Sequence, residues 1–393
     1  MEKLRIKLEK WVNGGYCLAH ADGHAVFVEG GIPGELVDIT LTKQGSKEWY
    51  GYVHSVVEAS SLRIPSNCPV SNECGGCSYR HITYEEELKL KRHLLESMFP
   101  DRKGKLEVIF GPEEGYRNNV QWQVDGNQLG LFAKNSHRII SESSIVCKNV
   151  NKRLLAPKSN EWKSNLKTPK NQKLPFPSKH PSRKKDNSLF LRLSGENVVS
   201  YDREETQITL MNTQLKVPSR GFFQINQFLI EPWLKTIQSL LPEKAHVLEL
   251  FCGCGTIGIT LREKIASLYG IESHDKSILY AKKNAKANGI QSFQYETKDL
   301  YQRPLSADFA KYPIWLVNPP RAGLSKGIMD SASELKPSSI IYSSCNPSTL
   351  RRDVSLFDSI GYEMDAMYLF DFFPRTHHYE VLVRMKHKNN SPL

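Results

Sequence analysis

Cys345 lies at the end of a predicted strand, where a thiol could act as a nucleophile. Ile340, Ile341 and Tyr342 predict a short buried strand, and residues 343–347 (SSCNP) predict the turn that ends it. Free cysteine is among the most buried residue types, so Cys345 taken alone is better interpreted as a small apolar filler. A nucleophilic role requires a substrate and a base close by.

A candidate base lies near the end of the chain, in the segment DFFPRTHHYEVLVRM. Glu380 follows His377 and His378 there and precedes an apolar strand, a position typical of a surface acid. One reaction would use both groups. A thiolate that adds to C6 of a uracil turns C5 into a nucleophile, and a base must later remove the C5 proton. That chemistry requires one cysteine and one carboxylate.

A glycine-rich loop indicates a nucleotide-like cofactor. In VLELFCGCGTIGITL, a predicted strand leads into three glycines that satisfy the dinucleotide pattern G-x-G-x-x-G. Glu272 ends the next predicted strand and can accept hydrogen bonds from both ribose hydroxyls, which suits NAD and S-adenosylmethionine equally. Asp299 in KDL and Asn318 in LVNPPR follow the third and fourth strands. This order is typical of methyltransferases and favours S-adenosylmethionine over a nicotinamide cofactor.

Eight cysteines in a chain without an apolar signal segment indicate metal binding or catalysis rather than disulfides. Cys68, Cys74 and Cys77 form the pattern C-x5-C-G-G-C, and Cys147 is the candidate for a fourth ligand. Four thiolates suit a zinc ion or an iron–sulfur cluster, and spacing alone slightly favours zinc.

The elements that must position these residues divide into a β-rich N-terminal part and an α/β C-terminal part. Residues 1–58 alternate in short strand-like runs separated by glycine turns, which predicts a small β-barrel. A helix is predicted from about Thr83, and an amphipathic helix is predicted up to about Leu241. Further on, strands and helices alternate, which predicts a mostly parallel sheet. Ligands of such sheets bind beyond the carboxyl ends of the strands, so Cys345 would lie near a bound methyl donor.

Composition and charge indicate a soluble globular protein with a polyanionic partner. The chain of 393 residues is 39% hydrophobic and 24% charged, which suits two or three domains. We expect a cytoplasmic protein without a membrane segment, because no long apolar run or signal core is present. The net charge is +11, and residues 151–188 hold eleven Lys and Arg against two acids, together with five prolines. This stretch predicts a mobile basic insertion that either contacts a polyanion or is merely solvated.

Two sets of motifs resemble known families. The stretch NGGYCLAHADGHAVFVEGGIPGELVDITLTKQ resembles a TRAM domain, an oligonucleotide-fold-like barrel found on RNA-modifying enzymes. The combination of FFQINQ, LELFCGCGTIG, NPPRAGL, YSSCNPSTLRRD and HHYE resembles the RNA uracil-5-methyltransferase family, nearly end to end except for the basic insertion. With the cysteine motif and the barrel, the chain resembles the branch that modifies ribosomal RNA and carries a four-iron four-sulfur cluster.

The resemblance implies three domains. They are a TRAM-like β-barrel at 1–60, a central α+β iron–sulfur domain at 61–222, and a Rossmann-like α/β methyltransferase domain at 223–393. The central domain would include a helical excursion at about 83–118 and the basic insertion at about 151–188. We expect a monomer that acts on a uridine of 23S ribosomal RNA, with transfer RNA as an open alternative.

The resemblance also implies roles for individual residues. It implies Cys345 as the nucleophile and Glu380 as the proton acceptor. Around the methyl donor it implies Gln224, Phe251, Thr256, Glu272, Asp299 and Asn318. The cluster would be held by Cys68, Cys74, Cys77 and Cys147, in a structural or RNA-facing role rather than a redox one. Of the other cysteines, Cys252 and Cys254 would pack near the cofactor loop and Cys17 in the barrel core.

Asn318 departs from the family pattern, which usually has an acid at this position. An amide supplies no negative charge near a sulfonium, so weaker cofactor binding or altered positioning is an open alternative. The NPP motif also resembles enzymes that methylate exocyclic amines, although Arg321 follows it where those enzymes have an aromatic residue. A further alternative is an iron–sulfur RNA-binding protein that has lost catalysis. The presence of both Cys345 and Glu380 argues against the amine methyltransferase and against the binding protein without catalysis.

Overall fold

A computed structural model describes residues 3–125, 128–141, 146–155, 188–195, 198–201, 205–218 and 220–388. The predicted basic insertion at about 151–188 lies outside these ranges from residue 156 to residue 187. Within the described ranges, no helix is long and apolar enough to cross a membrane.

The N-terminal residues form one six-stranded sheet. Its strands are β1 (Lys3–Lys7), β2 (Lys10–Val12), β3 (Tyr16–Ala21), β4 (His24–Glu29), β5 (Leu36–Gln44) and β6 (Glu48–Glu58). They are arranged in the order β1-β5-β6-β4-β3-β2. Side chains alternate between the two faces of a strand, so Cys17, Val26 and Val37 pack together in a core that belongs to this sheet. Cys17 is fully buried there, as predicted.

The central residues form a helix, a second sheet and a hairpin. Helix α1 spans Tyr84–Met98, and the Thr83 hydroxyl caps it by accepting from the backbone N–H of Glu86 at 3.2 Å. The strands are β7 (Glu107–Ile109), β8 (Asn119–Asp125), β9 (Gln128–Phe132), β10 (Ile139–Ser141), β11 (Ser188–Ser194), β12 (Val198–Tyr201), β13 (Thr206–Leu210) and β14 (Thr213–Val217). An antiparallel sheet has the order β10-β9-β8-β11-β12, and β13 pairs with β14.

The C-terminal residues form an α/β unit of the Rossmann type, as the alternating pattern predicted. Its strands are β15 (Ala245–Leu250), β16 (Ile265–Glu272), β17 (Phe293–Thr297), β18 (Ile314–Val317), β19 (Ser339–Ser344), β20 (Tyr362–Phe370) and β21 (Glu380–His387). Its helices are α2 (Ile230–Leu240), α3 (Thr256–Thr260), α4 (Asp275–Ala287), α5 (Lys326–Leu335) and α6 (Pro347–Ser359).

The sheet of this unit has eight strands in the order β17-β16-β15-β18-β19-β21-β20-β7. Strands β15 to β19 are parallel, and β21 runs antiparallel to both β19 and β20. Successive residues face opposite sides, so Val247 packs with Trp233 of α2 while Leu248 belongs to the core that contains Phe357 of α6. Helices therefore cover both faces and leave the carboxyl ends of the parallel strands open for ligands.

The helix after the glycine-rich loop is shorter than the sequence suggests. The run GTIGITLREKI predicts a helix through its whole length, but α3 ends at Thr260 and a 3-10 turn spans Arg262–Lys264. Strand β16 then starts at Ile265, because that residue already pairs with Ala245 of β15. The sheet pairing overrides the local helical pattern.

Candidate active site

Cys345 and Glu380 lie at facing ends of two paired strands. In the antiparallel ladder of β19 and β21, Ser344 pairs with Val381 and Ser343 pairs with Leu382. The ladder ends there, so Cys345 is the residue after β19 and Glu380 is the first residue of β21, and the Glu380 carboxylate raises the pKa of the nearby Cys345 thiol. Residues that face each other in an antiparallel pair project to the same side of the sheet. The structure thus brings together two predicted residues that are 35 positions apart in the sequence.

Glu380 is buried and holds a single strong hydrogen bond. Its side chain is 2% exposed, and the Ser343 hydroxyl donates to Oε1 at 2.6 Å. Trp233 in turn donates from Nε1 to the Ser343 Oγ at 3.0 Å. Burial raises the pKa of Glu380 to about 7, and the hydrogen bond from Ser343 opposes that rise. A carboxyl group with this pKa can accept a proton and release it again near neutral pH.

Cys345 is half-buried beside one cation and one acid. Burial raises the pKa of the Cys345 thiol, the Glu380 carboxylate raises it further, and the Arg321 guanidinium lowers it. The backbone carbonyl of Arg321 accepts hydrogen bonds from the Asn346 amide at 3.0 Å and the Thr349 hydroxyl at 3.3 Å. These bonds hold the turn after NPP against the turn that carries Cys345, so the cation stays close to the thiol.

A pair of histidines lies next to Arg321. The rings of His377 and His378 have centroids 3.9 Å apart, and His378 Nε2 lies 3.4 Å from an Arg321 nitrogen. Burial lowers the pKa of His377 to about 4 and that of His378 to about 3, so both rings are neutral at pH 7. His377 Nδ1 also lies 2.9 Å from the Ser78 hydroxyl.

The predicted cofactor residues line the carboxyl ends of consecutive strands. Phe251 follows β15, Glu272 ends β16, Asp299 comes just after β17, and Asn318 directly follows β18. The backbone N–H of Gly253 donates to Glu272 Oε2 at 3.3 Å, which places the carboxylate beneath the glycine-rich loop. An acid in this place can accept from the hydroxyls of a ribose that approaches the loop.

Phe251 and Tyr301 form an aromatic pair next to Asp299. Phe251 and Tyr301 have ring centroids 5.9 Å apart, and the backbone N–H of Tyr301 donates to Asp299 Oδ1 at 2.9 Å. Thr256 is the first residue of α3, and Gln224 is buried, with its carbonyl accepting from the Asn118 amide at 2.7 Å. The arrangement offers hydrogen-bonding groups and flat apolar surface of the kind that a nucleoside requires.

Glu249 on β15 is hydrogen-bonded to the start of the helix that follows the glycine-rich loop. It is fully buried within β15, and burial raises its pKa to about 8, so the carboxyl is largely neutral at pH 7. The backbone N–H of Gly258 donates to Glu249 Oε2 at 3.3 Å. A Cβ on Gly258 would lie 2.6 Å from that oxygen and 2.3 Å from Leu268, so any other residue would displace these two buried side chains. Cys252 and Cys254 are buried beside the same loop, as predicted.

The four candidate ligand cysteines come together in the central part. Cys68, Cys74 and Cys147 pack on one small apolar cluster, and their thiols and that of Cys77 influence one another electrostatically. The Cys77 sulfur accepts hydrogen bonds from Arg80 Nε at 3.4 Å and from the Asn149 amide at 3.3 Å. Among the described residues, however, no three His, Cys, Asp or Glu side chains are arranged to hold a metal ion.

Sequence reasoning missed several residues of this site. Ser343 and Trp233 were not identified, because their side chains act through Glu380 and carry no motif of their own. Arg321 was noted only as the residue after NPP, and its position beside Cys345 depends on the turn contacts described above. Glu249 could have been found, since an acid inside a predicted buried strand is a signal in itself.

The fold and the site together define a Rossmann-like enzyme with a cysteine and carboxylate pair at the edge of its parallel sheet. Residues 159–388 match the family model described as tRNA (Uracil-5-)-methyltransferase. The chain belongs to the RNA uracil-5-methyltransferase family.

Full-length relatives agree with this assignment. The chain is 36% identical to an uncharacterized RNA methyltransferase of Leptospira interrogans, over 98% of this chain and 95% of that protein. It is 28% identical to an uncharacterized RNA methyltransferase of Aquifex aeolicus, over 98% of this chain and 99% of that one. Its fold is similar to the crystal structure of Pyrococcus abyssi tRNA (uracil-54, C5)-methyltransferase in complex with S-adenosyl-L-homocysteine. That match has a TM-score of 0.72 and 20% identity, and covers 97% of this chain and 99% of the other.

Proposed function

We propose that this protein transfers a methyl group from S-adenosylmethionine to C5 of a uridine in RNA, with 23S ribosomal RNA as the substrate. The observation that supports the proposal is that Cys345 and Glu380 lie near each other at adjoining ends of β19 and β21, at the edge of the sheet where the residues expected to bind the methyl donor also lie. An amine methyltransferase or a binding protein has no need of this pair.

The chain's own residues supply the covalent chemistry. The Cys345 thiol releases its proton to solvent, which burial and Glu380 oppose and the Arg321 cation favours. The thiolate then adds to C6 of the uracil, and the resulting enolate places negative charge on C5. S-adenosylmethionine supplies the electrophilic methyl group that C5 attacks. Glu380 then accepts the C5 proton, and the electron pair of that C–H bond expels the thiolate from C6. Glu380 must be ionised for this last step, so its rate should rise with pH through about 7.

The cofactor contacts are part of the same proposal. Glu272 would bind the ribose hydroxyls, and Phe251 would contact the adenine from the side of Tyr301. Asp299 and Asn318 would complete the edge of the site, at the ends of neighbouring strands. Two further predicted residues, Gln224 and Thr256, would contact the donor or the target base.

Cys68, Cys74, Cys77 and Cys147 would hold a four-iron four-sulfur cluster. The donor set suits such a group, because four thiols lie near one another and Arg80 and Asn149 donate hydrogen bonds to sulfur. An iron–sulfur cluster bound by four thiolates is anionic, and Arg80 supplies compensating charge. When bound, the cluster would tie together the loop of residues 68–77 and the segment that contains Cys147.

The covalent mechanism can be tested with RNA that contains 5-fluorouracil. Fluorine at C5 cannot be removed as a proton, so the wild-type enzyme with S-adenosylmethionine should form a stable protein–RNA adduct. Cys345→Ala should form none, while Cys17→Ala, which changes a cysteine buried in the core of the N-terminal sheet, should still form it. An unchanged adduct with Cys345→Ala would refute the assignment of the nucleophile.

The choice of ribosomal RNA rests on the resemblance of the barrel and the cysteine motif to the ribosomal branch. We would map 5-methyluridine by mass spectrometry in ribosomal and transfer RNA from cells with and without the gene. Loss of specific 23S sites is the expected result. Loss confined to transfer RNA would reassign the substrate, and unchanged 5-methyluridine in both RNAs would contradict the proposed reaction.

A further inference from the structure

Arg352 of helix α6 contacts the loop that carries Arg321. We refer to residues 321–324 as the Arg321 loop. From Nη2, the Arg352 guanidinium donates to the backbone carbonyls of Ala322 at 3.0 Å and Leu324 at 3.4 Å. Both carbonyls lie outside the helices and strands, so a side chain supplies the partner that regular structure does not. One side chain of α6 therefore holds the loop at two positions.

Asp353 fixes the Arg352 side chain and the end of the loop. Asp353 is fully buried, and its Oδ1 accepts from Arg352 Nε at 2.8 Å and from Arg352 Nη2 at 2.7 Å. Its Oδ2 accepts from the backbone N–H of Leu324 at 2.9 Å and from the Tyr342 hydroxyl at 2.8 Å. Tyr342 belongs to β19, the strand that ends beside Cys345. A buried carboxylate is costly without such donors, so the ion pair with Arg352 stays closed.

The backbone of the Arg321 loop packs closely on this ion pair. Gly323 has a φ of +76°, and a Cβ on it would lie 2.6 Å from both Arg352 Nη2 and Asp353 Oδ2. The carbonyl of Gly323 accepts from the Tyr301 hydroxyl at 2.6 Å, and its N–H donates to the carbonyl of Pro320 at 2.9 Å. The loop is thus held on both sides, and its conformation depends on these side chains.

The conformation of the loop decides where the Arg321 guanidinium lies. This guanidinium lowers the pKa of the Cys345 thiol, whereas burial and the Glu380 carboxylate raise it. His377 and His378 lie beside Arg321, but burial lowers the pKa of each ring, so both are neutral at pH 7. If the loop moved the guanidinium away, burial and Glu380 would both continue to favour the protonated thiol.

We propose that Arg352, held by Asp353, is a positioning residue that fixes the Arg321 loop and keeps the Arg321 guanidinium beside the Cys345 thiol. This inference rests on the proposed function, because it takes Cys345 as the nucleophile. Arg352 acts through the loop rather than on the reacting atoms. Because the thiolate is the nucleophile, the distance between the cation and the sulfur sets how fast the sulfur attacks an electrophile.

Alkylation of Cys345 by iodoacetamide tests this role without RNA and without a methyl donor. The full-length protein is treated from pH 6.5 to 9.5, and the peptide that contains Cys345 is followed by mass spectrometry. Arg352→Met removes the donors but keeps an unbranched side chain. Its alkylation at pH 7.5 should be about 3- to 10-fold slower, the equivalent of a rise in the thiol pKa of roughly half to one pH unit.

Arg351→Met is the matched control. Arg351 is the preceding residue on the same helix and is exposed, and its guanidinium lies 5.4 Å from the centre of the Phe99 ring. The substitution removes the same charge but none of the contacts with the Arg321 loop. Its alkylation rate should match the wild type at every pH, and slowing equal to that of Arg352→Met would overturn the proposal.

The sign of the change distinguishes positioning from a general loss of structure. A variant that loosened the fold would expose the thiol and be alkylated faster, so a wild-type or faster rate in Arg352→Met would overturn the proposal. Asp353→Asn should slow alkylation as well, because an amide cannot replace the ionic partner of Arg352. If that buried variant fails to fold, Arg352→Met still decides, since the Arg352 side chain is half exposed.

Adduct formation with RNA that contains 5-fluorouracil separates this inference from the proposed function. If the wild type forms the adduct but Arg352→Met is alkylated at the wild-type rate, the positioning role alone fails. If alkylation slows as expected but the wild type forms no adduct, the proposed function fails and the positioning role stands.

Discussion

At the scale of single residues, the Ser343 hydroxyl influences the charge on Glu380. Burial raises the pKa of Glu380 to about 7, and the Ser343 hydrogen bond opposes the rise. In Ser343→Ala the carboxylate loses this donor, so its pKa should rise further, by about one pH unit for a bond to a charged group. Breakdown of the covalent adduct should slow at pH 7 and recover at higher pH, as measured in single-turnover experiments from pH 6 to 9.

Ser344→Ala is the matched control for that profile. The Ser344 hydroxyl donates to the backbone carbonyl of Asn346 at 3.2 Å and accepts from the backbone N–H of the same residue at 3.2 Å, so it is engaged by the turn and not by Glu380. Its pH profile should follow the wild type. A Ser343→Ala profile that also followed the wild type would contradict the role assigned to the hydroxyl.

Asn318 offers a second experiment at this scale. In Asn318→Asp a carboxylate replaces the amide at the end of β18, close to the proposed sulfonium. We expect S-adenosylmethionine to bind about 3- to 10-fold more tightly, because opposite charges gain about 1 kcal/mol when water screens them. S-adenosylhomocysteine has no sulfonium charge, so its affinity should not increase. Calorimetric titration of wild type and Asn318→Asp measures the affinity for each ligand. An equal gain in affinity for both ligands would exclude an effect of charge.

The residues of the candidate site differ in how far the sequence alone predicts them. Cys345 and Glu380 could be proposed from the sequence, because the motifs around them resemble those of the family and the proposed chemistry requires a thiol and a base. The role of Arg321 could not, because it depends on a turn whose carbonyl is held by Asn346 and Thr349. Ser343 carries no signal in the sequence, since its importance comes only from the 2.6 Å contact with Glu380.

At the scale of elements, a buried ionic network joins α1 to the loop between β20 and β21. Lys91 on α1 is 1% exposed and pairs with Glu87 at 2.6 Å and with Asp371 at 2.7 Å. Arg375 donates from its backbone N–H to Glu87 at 2.8 Å and from its side chain to the carbonyl of Tyr79 at 2.7 Å. The network fixes the loop that leads to Glu380.

Removing the cation should destabilise the protein strongly. In Lys91→Met, Glu87 and Asp371 remain buried without their partner, and breaking such a pair costs about 3–5 kcal/mol. Urea unfolding should show a lower midpoint. Burial already raises the pKa of Glu87 to about 7, above its ordinary value, so protonation relieves the unpaired charge. The loss of stability relative to the wild type should therefore be larger at pH 8 than at pH 5.

Lys89→Met on the same helix is the control for that measurement. Lys89 is exposed and pairs only with Glu85 and Glu86 on the surface, where screening makes ion pairs weak. Its urea midpoint should match the wild type at both pH values. A Lys91→Met midpoint equal to that of Lys89→Met would show that the network contributes nothing to stability.

The elements themselves were predictable to different degrees. Helix α1 was predicted because the leucines after Thr83 recur at helical spacing, and the structure shows in addition that Thr83 caps it. The length of α3 was predicted wrongly, since the pairing of Ile265 with Ala245 ends the helix early. The network could not be anticipated, because Lys91 and Asp371 are 280 residues apart and a charged pair gives no periodic pattern.

At the scale of the whole molecule, three distant segments meet at His377. Gly15 of the N-terminal sheet packs against the ring, Ser78 contacts Nδ1 at 2.9 Å, and His378 beside it reaches Arg321. The backbone N–H of Ser78 also donates to the carbonyl of Arg375 at 2.8 Å. The cysteine loop is therefore bonded directly to the loop that leads to Glu380, and no spacing in the sequence indicates this.

This contact predicts how loss of the proposed cluster should affect the active site. Ser78 directly follows Cys77, so Cys77→Ala should release the cysteine loop and weaken both contacts of Ser78. Amide hydrogen exchange across residues 371–379 should become faster, because these residues lose partners that protect them. Adduct formation should slow, while S-adenosylmethionine binding, which uses other strands, should persist. Cys17→Ala, which alters the core of the N-terminal sheet, should leave exchange in this loop unchanged. If Cys77→Ala abolishes the absorption of the proposed cluster but exchange across residues 371–379 stays as in the wild type, that cluster does not position the loop that leads to Glu380.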